Sequence, residues 1–178
     1  MPARPRLAPD FGPVALIDIT RHFADEVVAG QYPYVEFDAE NRWHQRIYRD
    51  PRIDIWLISW LPTQATSLHD HGGSAGAFTV IEGELTESVA AGDLGVGPSR
   101  PLVELSRRAG ESVGFSRHYI HDVRNVGDRP AVSVHAYSPP LASMTYYDLD
   151  AGQLTPIVTV ATDDPEHELT VADLEAAS

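Results

Sequence analysis

Ser67-Leu68-His69-Asp70-His71-Gly72-Gly73-Ser74 places two histidines two residues apart in a short extended segment. Successive side chains of a strand point to opposite faces, so residues i and i+2 share a face. The imidazoles of His69 and His71 therefore point to the same side, which is a geometry that can chelate a metal ion. A third imidazole would complete such a site, and His121 is the candidate, at the start of His121-Asp122-Val123-Arg124-Asn125.

The composition limits what else the chain can be. Its 178 residues suit one domain with a real core. A net charge of −13 argues against a surface for nucleic acid or anionic lipid. Cysteine is absent, so any metal must be held by imidazole, carboxylate or water. Without a secretory pattern or a run of about eighteen apolar residues, we expect a soluble, cytoplasmic protein that binds neither membrane nor nucleic acid. Its size is compatible with a monomer.

The pattern along the chain predicts an all-β fold preceded by a helix. Apolar residues recur at helical spacing from Pro13, and Gly30 is the expected end of that helix. Beyond Gln31 the chain changes to short β-branched and aromatic runs separated by turn residues, as in an all-β barrel or sandwich. Strands are predicted near residues 43–48, 53–61, 66–71, 76–82, 84–90, 102–106, 113–115, 121–125, 131–137 and 144–149, with turn signals that include 91–93 and 95–98.

We divide the single domain into three parts. An N-terminal arm and helix, residues 1–35, pack on a barrel formed by residues 36–155. Residues 156–178 are acidic and weakly apolar, and we expect a flexible tail. A frayed helical turn over 170–176 is the open alternative for its end.

The histidine segments resemble the two signature motifs of the cupin family. In that family a histidine pair on one strand and a third histidine on a later strand converge inside a small antiparallel barrel, so the resemblance implies a single cupin jelly roll. The first motif normally adds a glutamate ligand where this chain has Gly76. The implied site is therefore three neutral imidazoles, for which zinc with a bound water is as suitable as iron.

Two alternatives accompany this interpretation. His118 competes with His121 for the third ligand position, and the spacing to Asn125 favours His121. His69 and His71 could also line a turn and hydrogen-bond locally. A His-x-His pair alone is weak, whereas the pair together with the matching distant segment favours the metal site.

Apart from the histidine segments, a row of alternating polar residues lies in Ala131-Val132-Ser133-Val134-His135-Ala136-Tyr137. Strand alternation puts Ser133, His135 and Tyr137 on one face. Inside a barrel such a row must hydrogen-bond within itself or to a ligand. Taken alone, it would equally fit the solvent face of a half-buried strand.

Together, HDHGGSAG from His69, then His121, then SVHAYSPP from Ser133 resemble the cysteine dioxygenase, or thiol dioxygenase, branch of the cupins. The likeness spans residues from about 42 to 149. It implies Fe(II) held by His69, His71 and His121, without an organic cofactor, and a catalytic row of Ser133, His135 and Tyr137. The implied partners are a small thiol and O2, and both oxygen atoms are added to the sulfur to give a sulfinate. Mammalian members crosslink the tyrosine to a cysteine, which the glycine at the matching position here excludes.

The resemblance does not decide which residue binds the carboxylate of the substrate. An arginine of that family holds the substrate carboxylate, and an ungapped match puts His44 at its place, with Arg46 and Arg49 close by. Arg46 shares a strand face with His44, and a planar guanidinium can bind a carboxylate through two hydrogen bonds, so we favour Arg46. Each of the three could instead be an ordinary surface charge.

The substrate and the reaction class depend on this choice. L-cysteine, giving cysteine sulfinate, is the leading substrate, and 3-mercaptopropionate or another small thiol acid is the alternative. Two other classes stay open, namely a zinc or nickel cupin of a different reaction type and a cupin that binds a ligand without catalysis.

Overall fold

The computed structural model describes residues 10–32, 34–90 and 102–176. Helix α1 (Pro13–Val28) comes first and helix α2 (Val171–Ala176) last. The strands between them are β1 (His44–Asp50), β2 (Ile53–Trp60), β3 (His69–Asp70), β4 (Ala75–Glu82), β5 (Glu84–Ala90), β6 (Leu102–Arg108), β7 (Ser112–Phe115), β8 (His121–Arg124), β9 (Ala131–Ser138), β10 (Met144–Asp150) and β11 (Gln153–Val160). The predicted turns at 91–93 and 95–98, and residues 1–9 of the arm, lie outside the described residues.

The strands form two antiparallel sheets. One has the order β1-β2-β9-β4-β7 and the other β11-β10-β3-β8-β5-β6. From β2 to β10 the chain crosses to the other sheet at each connection except the β5–β6 hairpin, as in a jelly roll. The predicted all-β cupin fold with an N-terminal helix is confirmed.

Strands β2 and β9 are buried along all eight of their residues because each sheet face is covered. On the outer face, Leu57 and Val134 pack in a cluster with α1. On the inner face, Trp60 and Phe78 fill the barrel. Alternate residues of β2 and β9 therefore serve two separate cores.

Helix α1 lies against the five-stranded sheet through residues spaced four apart, Leu16, Thr20 and Ala24. The contact is close at β7, where a Cβ on Gly114 would lie 2.8 Å from the carbonyl oxygen of Pro13. The helix ends two residues before Gly30, as the sequence predicts. None of the helices in the described ranges is long and apolar enough to cross a membrane.

The C-terminal part differs from the expected outline. The predicted boundary at residue 155 falls inside β11, which pairs with β10 at the end of its sheet. Pro156 lies within this strand at an irregularity of the register, a place where an edge strand tolerates proline. Residues 161–168 follow and form ion pairs with β1 and with Arg42 just before it. The open alternative, a short helix near the end, appears as α2.

Candidate metal centre

Three histidines from two parts of the chain meet inside the barrel. His69 and His121 are directly opposite each other on β3 and β8, and His71 follows β3 by one residue. Their exposed fractions are 3%, 2% and 2% for His69, His71 and His121, and one nitrogen of each lies within 4.8 Å of the others. The structure thus brings together the three residues predicted as metal ligands.

In His69 and His121, a hydrogen bond to one ring nitrogen determines that the other nitrogen is free to bind a metal. The Nδ1–H of His69 donates to the carbonyl oxygen of Ser67 at 2.7 Å, and that of His121 donates to Glu87 Oε1 at 2.8 Å. Their Nε2 lone pairs are left free. Burial lowers the pKa of His69 to about 3 and that of His71 well below its ordinary value. Neutral imidazoles are the form that binds metals, so this donor set fits a divalent transition metal. Within the described ranges no carboxylate joins the cluster.

Glu87 is a site residue that the sequence analysis missed. Its side chain is fully buried and accepts hydrogen bonds from His121, Tyr119 and Arg107. Burial raises the pKa of the Glu87 carboxyl, but the bonds from His121 and Arg107 outweigh this and lower it. An ionised carboxylate behind a metal-binding imidazole orients the ring and makes it a stronger ligand. One feature of the sequence could have indicated its role. Glu87 is the single acidic residue at the position between Leu85 and Val89 on the inward face of β5.

The polar row on β9 faces the barrel interior and forms a directed chain. Trp60 Nε1–H donates to Ser133 Oγ at 2.9 Å, and Ser133 Oγ lies 2.8 Å from His135 Nε2. Burial lowers the pKa of His135 to about 3, so this ring is neutral. Because Ser133 Oγ already accepts from Trp60, we assign its hydroxyl hydrogen to His135 Nε2. The ring proton is then on Nδ1, which lies 3.4 Å from the Tyr137 oxygen.

This chain has a consequence for Tyr137. With this assignment of the ring proton, the Tyr137 oxygen accepts from His135 and its own hydrogen is available for another acceptor. Burial raises the pKa of Tyr137 well above 10, helped by the nearby carboxylates of Glu166 and Asp54, so the phenol stays protonated. The Tyr137 ring centroid lies 4.9 Å from that of His71. A tyrosine with a neutral hydroxyl is thus held with its ring beside the histidine cluster.

The glycine at position 76 shapes the opposite side of His71. A Cβ at Gly76 would lie 2.3 Å from the ring of Phe115, and this ring stacks on His71 with centroids 4.9 Å apart. A glutamate at this position would displace the aromatic ring. His118, the alternative third ligand, is exposed and lies outside the cluster.

The three candidate substrate-binding residues lie on β1, and each already has an acidic partner. Arg46 and Arg49 both donate to Asp163 Oδ2 at 2.7 Å. His44 Nε2 lies 3.2 Å from Asp164 Oδ2, and this hydrogen bond raises the pKa of His44. Nothing in the sequence pattern indicated that the acidic end of the chain would pair with these residues. Of the three side chains, Arg46 alone keeps a buried nitrogen, its Nε, without a hydrogen-bond partner among the described residues.

Comparisons with known proteins give a family match for most of this chain. Residues 24–150 match the family described as cysteine dioxygenase type I. Cysteine dioxygenase type 1 of Danio rerio is 31% identical over 110 residues, which are 57% of this chain and 52% of the relative. The chain thus spans about half the length of the curated relatives it matches.

Solved structures show a likeness in fold alone. The protein TT1209 from Thermus thermophilus matches with a TM-score of 0.50 and 23% identity, over 59% of this chain and 90% of that one. A recombinant oxalate oxidase in complex with glycolate matches with a TM-score of 0.51 and 18% identity, over 65% of this chain and 60% of that one.

Proposed function

The chain belongs to the cysteine dioxygenase type I family, and on that premise we propose that it is an iron-dependent thiol dioxygenase. The observation that carries the proposal is the trio of buried imidazoles with the ring of Tyr137 beside one of them. Fe(II) held by His69, His71 and His121 would supply open positions that bring a thiolate and O2 together, and the thiolate sulfur would supply the electrons that reduce O2. The product would be the sulfinate, which carries both oxygen atoms.

The protein groups have separate roles in this proposal. Glu87 holds the Nδ1 proton of His121, so that Nε2 faces the metal. Trp60, Ser133 and His135 hold the Tyr137 oxygen as an acceptor and so direct its hydrogen away from the row. We assign to Tyr137 the positioning of the reacting groups and the donation of a hydrogen bond to charge that develops on oxygen.

L-cysteine is the substrate that we propose. Arg46 supports a substrate carboxylate, because its Nε–H is buried without a partner among the described residues while its Nη2 is held by Asp163. A guanidinium anchored in this way is ready to donate one further charge-assisted hydrogen bond. 3-mercaptopropionate has the same carboxylate and is the competing substrate.

The test is thiol-dependent O2 uptake by the iron-loaded protein, together with identification of the sulfinate by mass spectrometry. We expect His121→Ala to abolish turnover and to lose bound iron. His118→Ala is the matched control, because this histidine is exposed and outside the cluster, and it should retain both. Iron binding and turnover that survive in His121→Ala would refute the assignment. Full iron loading without O2 uptake for any small thiol would refute the proposed reaction.

A further inference from the structure

Arg107 directs a cation towards the histidine cluster, and the roles assigned so far leave it out. It lies on β6 opposite Leu85, which makes it a diagonal neighbour of Glu87 on the same face of the sheet. A long side chain can span this spacing. Arg107 Nε donates to Glu87 Oε2 at 2.8 Å, and its Nη2 lies 2.7 Å from the same oxygen. The exposed fractions of the two side chains are 21% and 0%, so water screens their interaction only weakly.

The two carboxylate oxygens of Glu87 have different partners. Oε1 accepts hydrogen bonds from His121 Nδ1–H at 2.8 Å and from the Tyr119 hydroxyl at 3.0 Å. Oε2 has Arg107 as its partner among the described residues. The carboxylate therefore lies between a guanidinium and the ring of a proposed metal ligand, and a change of charge at Arg107 acts on His121 through two hydrogen bonds.

The effect of this arrangement on bound iron follows from charge. An ionised carboxylate that accepts from a metal-bound imidazole draws the ring proton towards itself and makes the ring a stronger electron donor. A more electron-rich ligand stabilises Fe(III) more than Fe(II), which lowers the potential of the couple. A guanidinium on the far oxygen holds part of the carboxylate charge and weakens this effect. The position of Arg107 therefore favours the ferrous state.

We propose that Arg107 is a positioning residue that acts through Glu87 on His121 and keeps bound iron in the ferrous state before a thiol arrives. This inference rests on the proposed function and deepens it, because the proposed reaction begins from Fe(II). Without thiol, transfer of one electron from Fe(II) to O2 gives Fe(III) and superoxide and removes the site from turnover. A higher potential disfavours this transfer, so Arg107 protects the site in air.

A second arginine–glutamate pair on the same two strands offers a matched control. Arg108 lies directly opposite Glu84, and its Nε is 3.3 Å from Glu84 Oε2. Both side chains are exposed, by 73% and 50%, and alternation puts them on the sheet face that points away from Glu87. Loss of the Arg108 charge changes the net charge of the protein by the same amount, without acting on Glu87.

The experiment measures the midpoint potential of the Fe(III)/Fe(II) couple by a mediated redox titration, without thiol and with iron saturating each variant. Arg107→Gln should raise the preference for Fe(III) over Fe(II) about tenfold, which lowers the potential by about 59 mV for one electron. The loss of Fe(II) in air, followed with a ferrous chelator, should become faster. Arg107→Lys keeps the charge and should change the preference less than about threefold, and Arg108→Gln should match wild type.

Two further variants test the path of the effect and guard against a misfolded protein. Arg107→Met removes the charge with an apolar chain, and it should lower the potential as Arg107→Gln does. In the Glu87→Gln background, Arg107→Gln should change the preference for Fe(III) less than about threefold, because the carboxylate that carries the effect is gone. Far-ultraviolet circular dichroism establishes that each variant is folded.

The outcomes separate the two proposals. A potential that is unchanged in both neutral variants, an equal shift in Arg107→Lys, or a full shift that persists in the Glu87→Gln background would overturn the role of Arg107 while the dioxygenase activity stands. The potentials are measured without thiol, so they do not depend on turnover. Shifts of the expected size in a protein that consumes no O2 with any small thiol would support the effect of Arg107 and overturn the proposed reaction.

Discussion

Replacing Asp54 by asparagine should stabilise this protein at neutral pH, although the substitution removes a charged group from its interior. Burial raises the pKa of Asp54 from 3.8 to about 6, an effect that nearby Trp56 and Arg49 only moderate. The Trp56 side chain, the two arginines of β1 and the Leu141 backbone all favour the charged form, but burial outweighs them. The folded state therefore holds this proton more tightly than the unfolded state does.

The magnitude follows from linkage. Since the folded pKa is the higher one, the free energy of unfolding falls as pH rises from about 4 to about 6, and the loss is complete above that range. A rise in pKa from 3.8 to about 6 corresponds to about 3 kcal/mol. Asp54→Asn should thus be up to about 3 kcal/mol more stable than wild type near pH 8. For a chain of this length that gain corresponds to about 6 to 12 °C in Tm.

The assay is urea unfolding followed by far-ultraviolet circular dichroism, at a series of pH values from about 4 to 8, with both proteins kept metal-free by a chelator. The difference between variant and wild type should be small near pH 4 and should grow through about pH 5 to 6. A difference that is constant with pH, or a variant less stable than wild type at about pH 8, would refute the view that burial of the Asp54 charge outweighs its favourable partners.

Three further substitutions test other parts of the site. Glu87→Gln removes the charge that holds His121, so iron affinity in a chelator competition should fall about 10- to 100-fold. Gly76→Ala places a methyl group 2.3 Å from an aromatic ring that must then shift, and urea unfolding should show a loss of about 1 to 3 kcal/mol. Glu166→Ala leaves Arg42 charged and buried, so the same unfolding assay should show a loss of about 3 to 5 kcal/mol.

Two control variants change exposed residues near the buried glutamates. Glu84→Gln changes an exposed glutamate of the same strand as Glu87 and should leave iron affinity unchanged. Glu168→Ala removes an exposed partner of Arg42 and should cost less than about 1 kcal/mol. If either control matched the effect of its buried counterpart, burial could not be the reason for the loss.

The local sequence pattern was sufficient to predict much of this structure. The alternation rule placed His69 and His71 on one side, and it put the β9 row on one face, because strand geometry depends only on neighbours in the chain. Convergence with His121 followed from the family resemblance, and the structure brings the three together at β3 and β8.

The remaining parts depend on pairing between distant residues. Arg46 and Asp163 are separated by 117 positions, and no periodicity indicates that an acidic segment will meet a particular strand. Glu87 and Asp54 look like ordinary strand residues until the facing strand is known. Strand β11 lacks a clear alternation and contains a proline, so its pairing with β10 depends on position at the sheet edge rather than on intrinsic propensity.

The ion pairs that join Asp163, Asp164 and Glu166 to β1 and to Arg42 just before it hold these side chains through residues encoded far from the histidine segments. Substitutions in those few positions would change which arginine or histidine is free, without altering a single metal ligand. Under the proposed function, such substitutions would change how the β1 side chains meet a substrate carboxylate, while the histidine trio stays the same.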